Sequence, residues 1–366
     1  MRGMVQTLIF AILMTTWLVD YTYAGQNGSS VIKGSVENAQ TGEPLVGAHI
    51  ILGGTKQGSV TNQDGEFELT DIPEGAYQIR ISKIGYRNVS HDQMISDETH
   101  TLNFELYPDA TELGEVKVEA ERDDSWKNHF ETFKAEFIGT SERADYVEIV
   151  NPEVLEFRTN FRGRLQASAI EPLEIKNHHL GYRITFFLDH FEAEGMTTML
   201  DGEPLFEEMI PEDSDQAEEW EENRKDAFKG SFRHFMIALI EDRLGSEGFA
   251  LREEEEQIQD GYGRTDTRVS SSQLMNYDED EEAYKLNFEG ILEVRYTNAA
   301  ESRRFVDWID EPGYRRSRTQ TSYISLNQRP LTVDADGGIL ETFGATRLGY
   351  FGFHRLADLT PKEYQP

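Results

Sequence analysis

The chain has 366 residues, the length of two or three ordinary domains, and its 68 Asp and Glu against 35 Lys and Arg leave a net charge of −33. A surface this acidic repels nucleic acids and anionic lipid surfaces, which excludes both as expected partners. Cysteine is absent, which excludes disulfides, a thiol nucleophile, a cysteine metal cage and a lipidated N-terminal cysteine. Hydrophobic residues make up 38% of the chain, enough for packed cores.

Residues 1–24 have the layout of a secretory signal peptide. Arg2 precedes an apolar run from Leu8 to Val19, and Thr22-Tyr23-Ala24 favours cleavage after Ala24. The alternative is an uncleaved membrane anchor, but this run is shorter than the roughly 20 apolar residues that span a bilayer. We therefore expect an exported bacterial protein that is periplasmic, outer-membrane-associated or secreted, with no transmembrane segment after signal removal.

Residues 31–108 are predicted to form a small β-sandwich of the seven-stranded type. Turn residues recur every several positions, with β-branched and aromatic residues between them. Asp64-Gly65 is a hairpin signal, and alternation places Phe67 and Leu69 on one face. The predicted strands are 31–36, 48–52, 58–61, 66–69, 77–81 and 101–106.

The stretch from Gly34 to Tyr86 resembles the carboxypeptidase regulatory-like domain, a transthyretin-like sandwich. Asn62 departs from the family pattern, which often has aspartate there. The resemblance implies an accessory module with no catalysis of its own. The matching positions are Gly34, Gly42, Pro44, Leu45, Ala48, Gly58, Thr61, Asp64, Gly65, Phe67, Pro73, Gly75, Tyr77, Gly85 and Tyr86.

Common catalytic motifs are missing from the sequence. None of the nine histidines has Glu three residues later, and neither a Gly-x-Ser-x-Gly elbow nor a phosphate-binding Gly-rich loop occurs. The sequence therefore predicts a non-enzymatic protein, and no catalytic, cofactor-binding or metal-binding residue is assigned.

Residues 109–123 are predicted to be a linker. Its segment Leu113 to Glu119 alternates apolar and charged residues. A similar segment follows this kind of module in TonB-dependent outer-membrane receptors. We favour a final edge strand with its charged side chains in water.

Residues 124–366 are predicted to form an α+β region, with an antiparallel sheet and a few helices against it. A helix from Trp126 carries an aromatic stripe at spacings of 4, 3 and 4, which indicates a core face. In the long strand from Tyr182, alternation places His190 on the same face as Tyr182. Two further helices are expected, one beginning at Asp215 with Glu218 in a capping box, the other running after Lys229-Gly230 to Leu244.

In the second predicted helix, the helical period places Phe228, Phe232, Phe235, Met236, Leu239 and Ile240 on one apolar face. The same period places His234 and Glu241 in water. It places Arg243 within the apolar face, where the side chain either reaches the last carbonyls or pairs with a buried acid. A ligand-binding role for Arg243 is the alternative.

Several polar clusters were weighed as sites. His178-His179 is interpreted as a polar turn. His190 and Glu192 have ligand-compatible spacing but lack a third ligand. The acidic runs, including Asp334 to Gly338, are interpreted as solvated faces or turns because none has the spaced form of a calcium loop.

A second resemblance covers blocks of the C-terminal region, such as "IKNHHLGYRITFFLDHF" and "GYFGFHRLADLTPKEYQP". They are similar to uncharacterised bacterial proteins known only by their carboxypeptidase-like regulatory domain. This implies a chain that is complete at Pro366 and is not a truncated receptor, and it supplies no catalytic residues.

The leading functional prediction is a non-enzymatic protein of a Gram-negative envelope that binds or organises a polysaccharide or an outer-membrane protein, with an unassigned oligomeric state. One alternative is an accessory component of outer-membrane polysaccharide or nutrient uptake. Another is a hydrolase using a carboxylate pair such as Glu171 and Glu174. A third is a scaffold acting by strand addition at Val116 to Glu119. The aromatic residues considered as sugar platforms are Trp220, Trp308, Tyr314 and Tyr350.

Overall fold

A computed structural model describes residues 30–96, 98–109, 124–195, 197–254, 269–341 and 343–366. The predicted signal peptide and the predicted strand at Leu113 to Glu119 lie outside these ranges. Within them, every helix is too short or too polar to cross a bilayer.

Two four-stranded sheets form the N-terminal β-sandwich. One sheet has the order β4-β1-β7 with β8 also paired to β1, and the other has the order β3-β2-β5-β6. The strands are β1 (Ser30–Asn38), β2 (His49–Leu52), β3 (Gly58–Val60), β4 (Glu66–Ile72), β5 (Gly75–Ser82), β6 (Val89–Ile95), β7 (Thr99–Thr101) and β8 (Phe104–Leu106).

The sandwich prediction is confirmed, with two local corrections. Phe67 and Leu69 are both buried, as the alternation requires. The predicted strand 101–106 is two short strands, because β7 and β8 pair with different parts of β1. Strand β6 was missed, since its half-buried polar residues give a weak alternation.

A six-stranded antiparallel sheet follows, with α1 (Asp124–Phe137) packed on one face. The long strand β13 pairs with β14 along one side and with β12 and β11 along the other. The strands are β9 (Val147–Ile149), β10 (Leu155–Thr159), β11 (Leu165–Ala169), β12 (Leu173–Asn177), β13 (Tyr182–Glu194) and β14 (Thr197–Glu208).

The aromatic stripe of α1 is confirmed as a core face, since Phe133 and Phe137 are fully buried beneath the sheet. The predicted faces of the long strand hold only for its first half. A register shift between Leu188 and His190 reverses the alternation, so Phe191 is buried and His190 is exposed.

The C-terminal part holds two smaller sheets and five helices. The four-stranded sheet has the order β15-β18-β19-β21, and the three-stranded sheet has the order β16-β17-β20. These strands are β15 (Phe249–Glu254), β16 (Met275–Asp278), β17 (Ala283–Leu286), β18 (Ile291–Tyr296), β19 (Gln320–Leu326), β20 (Leu331–Val333) and β21 (Ala345–Gly349). The helices are α2 (Ser214–Phe228), α3 (Phe232–Ile240), α4 (Ser271–Leu274), α5 (Arg303–Ile309) and α6 (Tyr350–Phe353).

Two helix predictions need correction. Helix α2 is capped by Asp213, which accepts a hydrogen bond from the Gln216 N–H at 2.9 Å, so the cap lies two residues before Asp215. Helix α3 ends at Ile240 rather than Leu244. The helical period therefore does not extend to Arg243, which is half exposed and bonds to Glu241 and Glu247.

The sandwich is joined to the rest of the chain by backbone hydrogen bonds. The Gly54 N–H donates to Pro204 O and the Phe206 N–H donates to Thr55 O, both at 2.8 Å, which attaches the β2–β3 turn to the edge of β14. On β5, the Arg80 side chain is 2% exposed and pairs with Asp189 of β13. We call this contact between the sandwich and β13–β14 the seam.

The last residues of the described chain reinforce the seam. The Lys362 N–H donates to Gly54 O at 2.8 Å, and the Lys362 ammonium pairs with Asp334 and donates to Ala76 O at 2.7 Å. The Arg233 guanidinium donates to the carbonyl oxygens of Pro361, Lys362 and Tyr364. This tail therefore contacts both the sandwich and the C-terminal sheets.

Candidate functional site

A polar cavity of about 220 Å³ lies among four separated stretches of the C-terminal region. Its lining comes from residues 141–143 after α1, 226–229 at the end of α2, 300–320 around α5 and the start of β19, and 350–354 at α6. The cavity therefore exists only in the folded chain, where these four stretches meet.

Helix α6 supplies an aromatic wall. Gly349 has φ +65° and lies so close to β19 that a Cβ would come within 2.4 Å of Thr321 O, so this tight entry to α6 requires glycine. Tyr350 and Phe353 are almost fully buried, and the His354 ring meets Tyr350 edge to face at 5.2 Å. The Tyr350 hydroxyl accepts a hydrogen bond from the Ser302 N–H at 2.8 Å, which fixes the position of the ring.

Several residues that line this cavity carry buried polar atoms without hydrogen-bond partners. Ser141 Oγ, Arg143 Nε, Gln320 Oε1 and His354 Nδ1 have no partner among the described residues, and all four side chains line the cavity. Thr140 Oγ1, next in the chain to Ser141, is a fifth such atom. Leaving a buried polar group unpaired costs about 1–3 kcal/mol, so this concentration needs an explanation.

Ser141 is the clearest case. It is 1% exposed and stands at the N-terminal cap of the 3₁₀ turn Glu142–Tyr146, where a serine hydroxyl ordinarily accepts a backbone N–H. Here the hydroxyl makes no capping bond within the turn. The hydroxyl is therefore a buried polar group without a partner among the described residues.

The charges around the cavity balance. The Arg143 guanidinium bonds to the buried Asp358 at 2.9 Å, and the rim carries the exposed side chains of Glu142, Asp226, Lys229 and Arg316. Three bases and three acids therefore meet at this site, although the whole chain is strongly acidic.

Burial lowers the pKa of His354 below its ordinary value, and the nearby Asp358 carboxylate only partly opposes this effect. The imidazole ring is therefore neutral at pH 7. In a neutral ring, each nitrogen either donates or accepts a hydrogen bond according to the tautomer.

A second cavity, of about 250 Å³, lies beside α3 and the last two residues. His234 was predicted to face water, but it is 7% exposed, because α3 packs both faces of its first turn. Its Nδ1 accepts from the Gly230 N–H at 3.0 Å, and its Nε2 contacts Glu247 at 3.2 Å. Both ring nitrogens thus have partners, so His234 has a structural role that needs no ligand.

The other predicted histidine clusters do not form sites. His178 and His179 lie in a turn, as predicted, with His179 stacked on Tyr146 at 5.1 Å. Glu192 bonds to Arg164 at 2.7 Å, and His190, two residues earlier on β13, is exposed. No three metal-ligating side chains come together within the described ranges.

The acidic candidates are also accounted for. Asp334 to Gly338 forms the predicted turn, with the Asp334 carboxylate accepting from the Gly338 N–H at 2.7 Å and the Ala76 N–H at 2.9 Å. Glu171 and Glu174 are exposed on the surface. Burial raises the pKa of two carboxyl groups, Asp336 in this turn and Glu203 at the seam, and neither cavity includes them.

Only one of the four aromatic residues considered as sugar platforms lines the cavity. This is Tyr350, whereas Trp220 is buried against Gly181 and donates to His178 O at 2.9 Å. Trp308 packs on Phe305, and the Tyr314 hydroxyl donates to Glu301 at 2.7 Å. Sequence reasoning missed Ser141, Arg143, Gln320 and His354, which have no shared motif or spacing.

Comparison with known proteins agrees with the N-terminal fold. Residues 32–118 match the CarboxypepD_reg-like domain. The regulatory-like domain is a non-catalytic β-sandwich, and the match confirms the resemblance seen in the sequence. A search of curated proteins found no match.

A search of solved structures found chains that are similar to part of this one. The major pilin subunit of Bacillus cereus is 20% identical over 21% of this chain and 29% of its own, with a TM-score of 0.19. A cohesin–X-dockerin complex of Acetivibrio cellulolyticus is 18% identical over 31% and 79%, with a TM-score of 0.20. A catechol 1,2-dioxygenase variant of Acinetobacter radioresistens is 15% identical over 28% and 59%, with a TM-score of 0.21.

The chain spans less than a third of the pilin structure that it matches.

Proposed function

We propose that this protein is a non-enzymatic, exported envelope protein that binds a small polar ligand in the cavity beside α6. The observation that carries the proposal is the set of buried, unpartnered polar atoms on Ser141, Arg143, Gln320 and His354, as counted over the described residues. A ligand that hydrogen-bonds to these atoms would remove a penalty that the unliganded fold bears.

In this proposal the regulatory-like domain is held in a fixed position against the region that contains the cavity. Backbone hydrogen bonds, the pair between the buried Arg80 and Asp189, and the Lys362 contacts connect it to the ligand-binding region. In this proposal the domain leaves its outer strands available for an outer-membrane protein partner. The cavity binds part of a polysaccharide or a nutrient, which includes an accessory role in uptake.

The test is a thermal-shift screen of the whole secreted chain against sugars, amino acids, dicarboxylates, nucleosides and polyamines. We expect at least one class to raise the melting temperature in a concentration-dependent way, because a ligand that binds only the folded state stabilises it. Ala300→Trp places a large side chain at the exposed rim of the cavity and should abolish that shift.

Ser168→Trp, on the exposed face of β11, is the matched control and should retain the shift. The proposal fails if no class shifts the melting temperature. It also fails if Ala300→Trp responds like the unmodified protein, because the ligand would then bind elsewhere.

A further inference from the structure

The unpartnered atoms of the cavity restrict the chemistry of its ligand. Arg143 Nε–H can only donate a hydrogen bond, and Gln320 Oε1 can only accept one. Ser141 Oγ and His354 Nδ1 can do either. A carboxylate accepts a hydrogen bond from Arg143 Nε–H but repels the Gln320 amide oxygen. An ammonium group donates to the Gln320 oxygen but repels the Arg143 guanidinium. A hydroxyl group accepts and donates at once, so adjacent hydroxyls satisfy the whole set.

The charges around the cavity also favour a ligand with hydroxyl groups and no net charge. Asp358 already balances Arg143, and the rim places Lys229 and Arg316 opposite Glu142 and Asp226. An ionic ligand would find no excess of opposite charge in this balanced set. An uncharged ligand does not disturb it, and it avoids the repulsion that the acidic surface exerts on anions.

Size completes the description. The volume of about 220 Å³ is below the roughly 300–1,000 Å³ of pockets for drug-sized ligands. The space therefore suits a single ring.

We infer that the ligand of this cavity is one uncharged sugar ring that presents adjacent hydroxyls to Ser141, Arg143, Gln320 and His354. This inference rests on the proposed function and specifies the ligand class. Longer glycans bind through one ring, with the remaining rings outside the rim.

The experiment is calorimetric titration of the whole secreted chain with glucose, galactose and mannose, and with glucuronate and glucosamine as charged comparators. We expect at least one neutral hexose to bind, and its charged counterparts to bind at least about tenfold more weakly. Equal or tighter binding of glucuronate or glucosamine overturns the inference while leaving the cavity function intact. The same holds if only a non-sugar class from the thermal-shift screen binds. If nothing binds in either experiment, the proposed function itself fails.

Two variants assign the binding to the named atoms. Ser141→Ala removes a hydroxyl that has no partner among the described residues, so we expect the melting temperature to stay level or rise. Hexose affinity should fall about threefold to tenfold, the effect of one lost hydrogen bond. Arg143→Lys retains a cation for Asp358 but lacks the Nε–H, and it should weaken binding similarly.

Ser168→Ala on β11 is the control and should bind like the unmodified protein. Unchanged hexose affinity in both Ser141→Ala and Arg143→Lys overturns the assignment, even if the sugar binds elsewhere on the molecule.

Discussion

Replacing Glu203 at the seam should change how the stability of the protein depends on pH. Glu203 lies on β14 directly against Gly53 of the sandwich, where a Cβ on Gly53 would overlap the carboxyl group. Burial is the main cause that raises the Glu203 pKa from its ordinary 4.5 to about 8, and the Asp201 carboxylate adds to it. Arg80 opposes the rise, and Asp92 contributes further to it.

The sign follows from comparing the two states. Between pH 4.5 and pH 8, the folded protein keeps a proton that the unfolded chain has lost. The free energy of unfolding contributed by this group therefore falls as the pH rises through that window. At about 1.4 kcal/mol per pH unit, the loss between pH 4.5 and pH 7 amounts to about 3–4 kcal/mol at most. The glutamine of Glu203→Gln stays uncharged at every pH, so the free energy of unfolding of this variant does not fall for this reason.

Urea unfolding at pH 5, 6, 7 and 8, followed by circular dichroism and tryptophan fluorescence, measures the effect. Glu203→Gln should match the unmodified protein near pH 5 and exceed it increasingly toward pH 8. Glu207→Gln is the control, because that side chain lies on the same strand and is 76% exposed. The reasoning is refuted if Glu203→Gln follows the unmodified protein at every pH, or if Glu207→Gln shows the same gain.

Three further predictions concern stability. Lys362→Ala leaves the buried Asp334 carboxylate without its ammonium partner and should cost about 3–5 kcal/mol in urea unfolding. Lys56→Ala, which removes a pair with Glu208 between half-exposed side chains, should cost less than about 1 kcal/mol, and equal losses would contradict the argument. Gly181→Ala adds a Cβ within 2.3 Å of the Trp220 ring at φ +69°, so it should destabilise the fold by about 2–4 kcal/mol and shift tryptophan emission. Gly163→Ala has a similar φ of +82° with open space around it and should lose only the backbone part, so a loss as large as that of Gly181→Ala would refute the packing reason. Finally, NaCl screens repulsion within a chain of net charge −33, so the melting temperature should rise with salt, and a flat response up to molar salt would contradict this view.

The sandwich could be predicted from the sequence because its signals are local. Asp64-Gly65 specifies a turn, and Gly65 has the positive φ of +73° that such a turn requires. The alternation of Phe67 and Leu69 fixes which face is buried. These features involve residues a few positions apart, so they can be identified before any tertiary contact is known.

Tertiary contacts explain the errors. Strand β14 is rich in acidic residues, yet it pairs along the whole of β13 and holds the seam. Arg80 is buried because the second face of β5 is covered by β13 and β14, and alternation within β5 does not indicate that neighbour. His234 is buried for a related reason, since Glu247 folds back onto it after α3 ends.

The cavity could not be predicted from the sequence, for a more general reason. Its polar atoms come from Ser141, Arg143, Gln320 and His354, so about two hundred positions separate its two sides. Tyr350 was named among other aromatic residues, but nothing in its surroundings in the sequence set it apart. The absence of hydrogen-bond partners, which marks the site, is a property of the packed chain.

The most direct test of ligand binding at the cavity is a crystal structure of the protein grown with the compound that raises its melting temperature most. We predict electron density for that compound beside Tyr350, with its polar atoms about 2.7–3.2 Å from Ser141 Oγ, Arg143 Nε and Gln320 Oε1. A compound bound elsewhere, with these three atoms making no contact to it, would contradict the account.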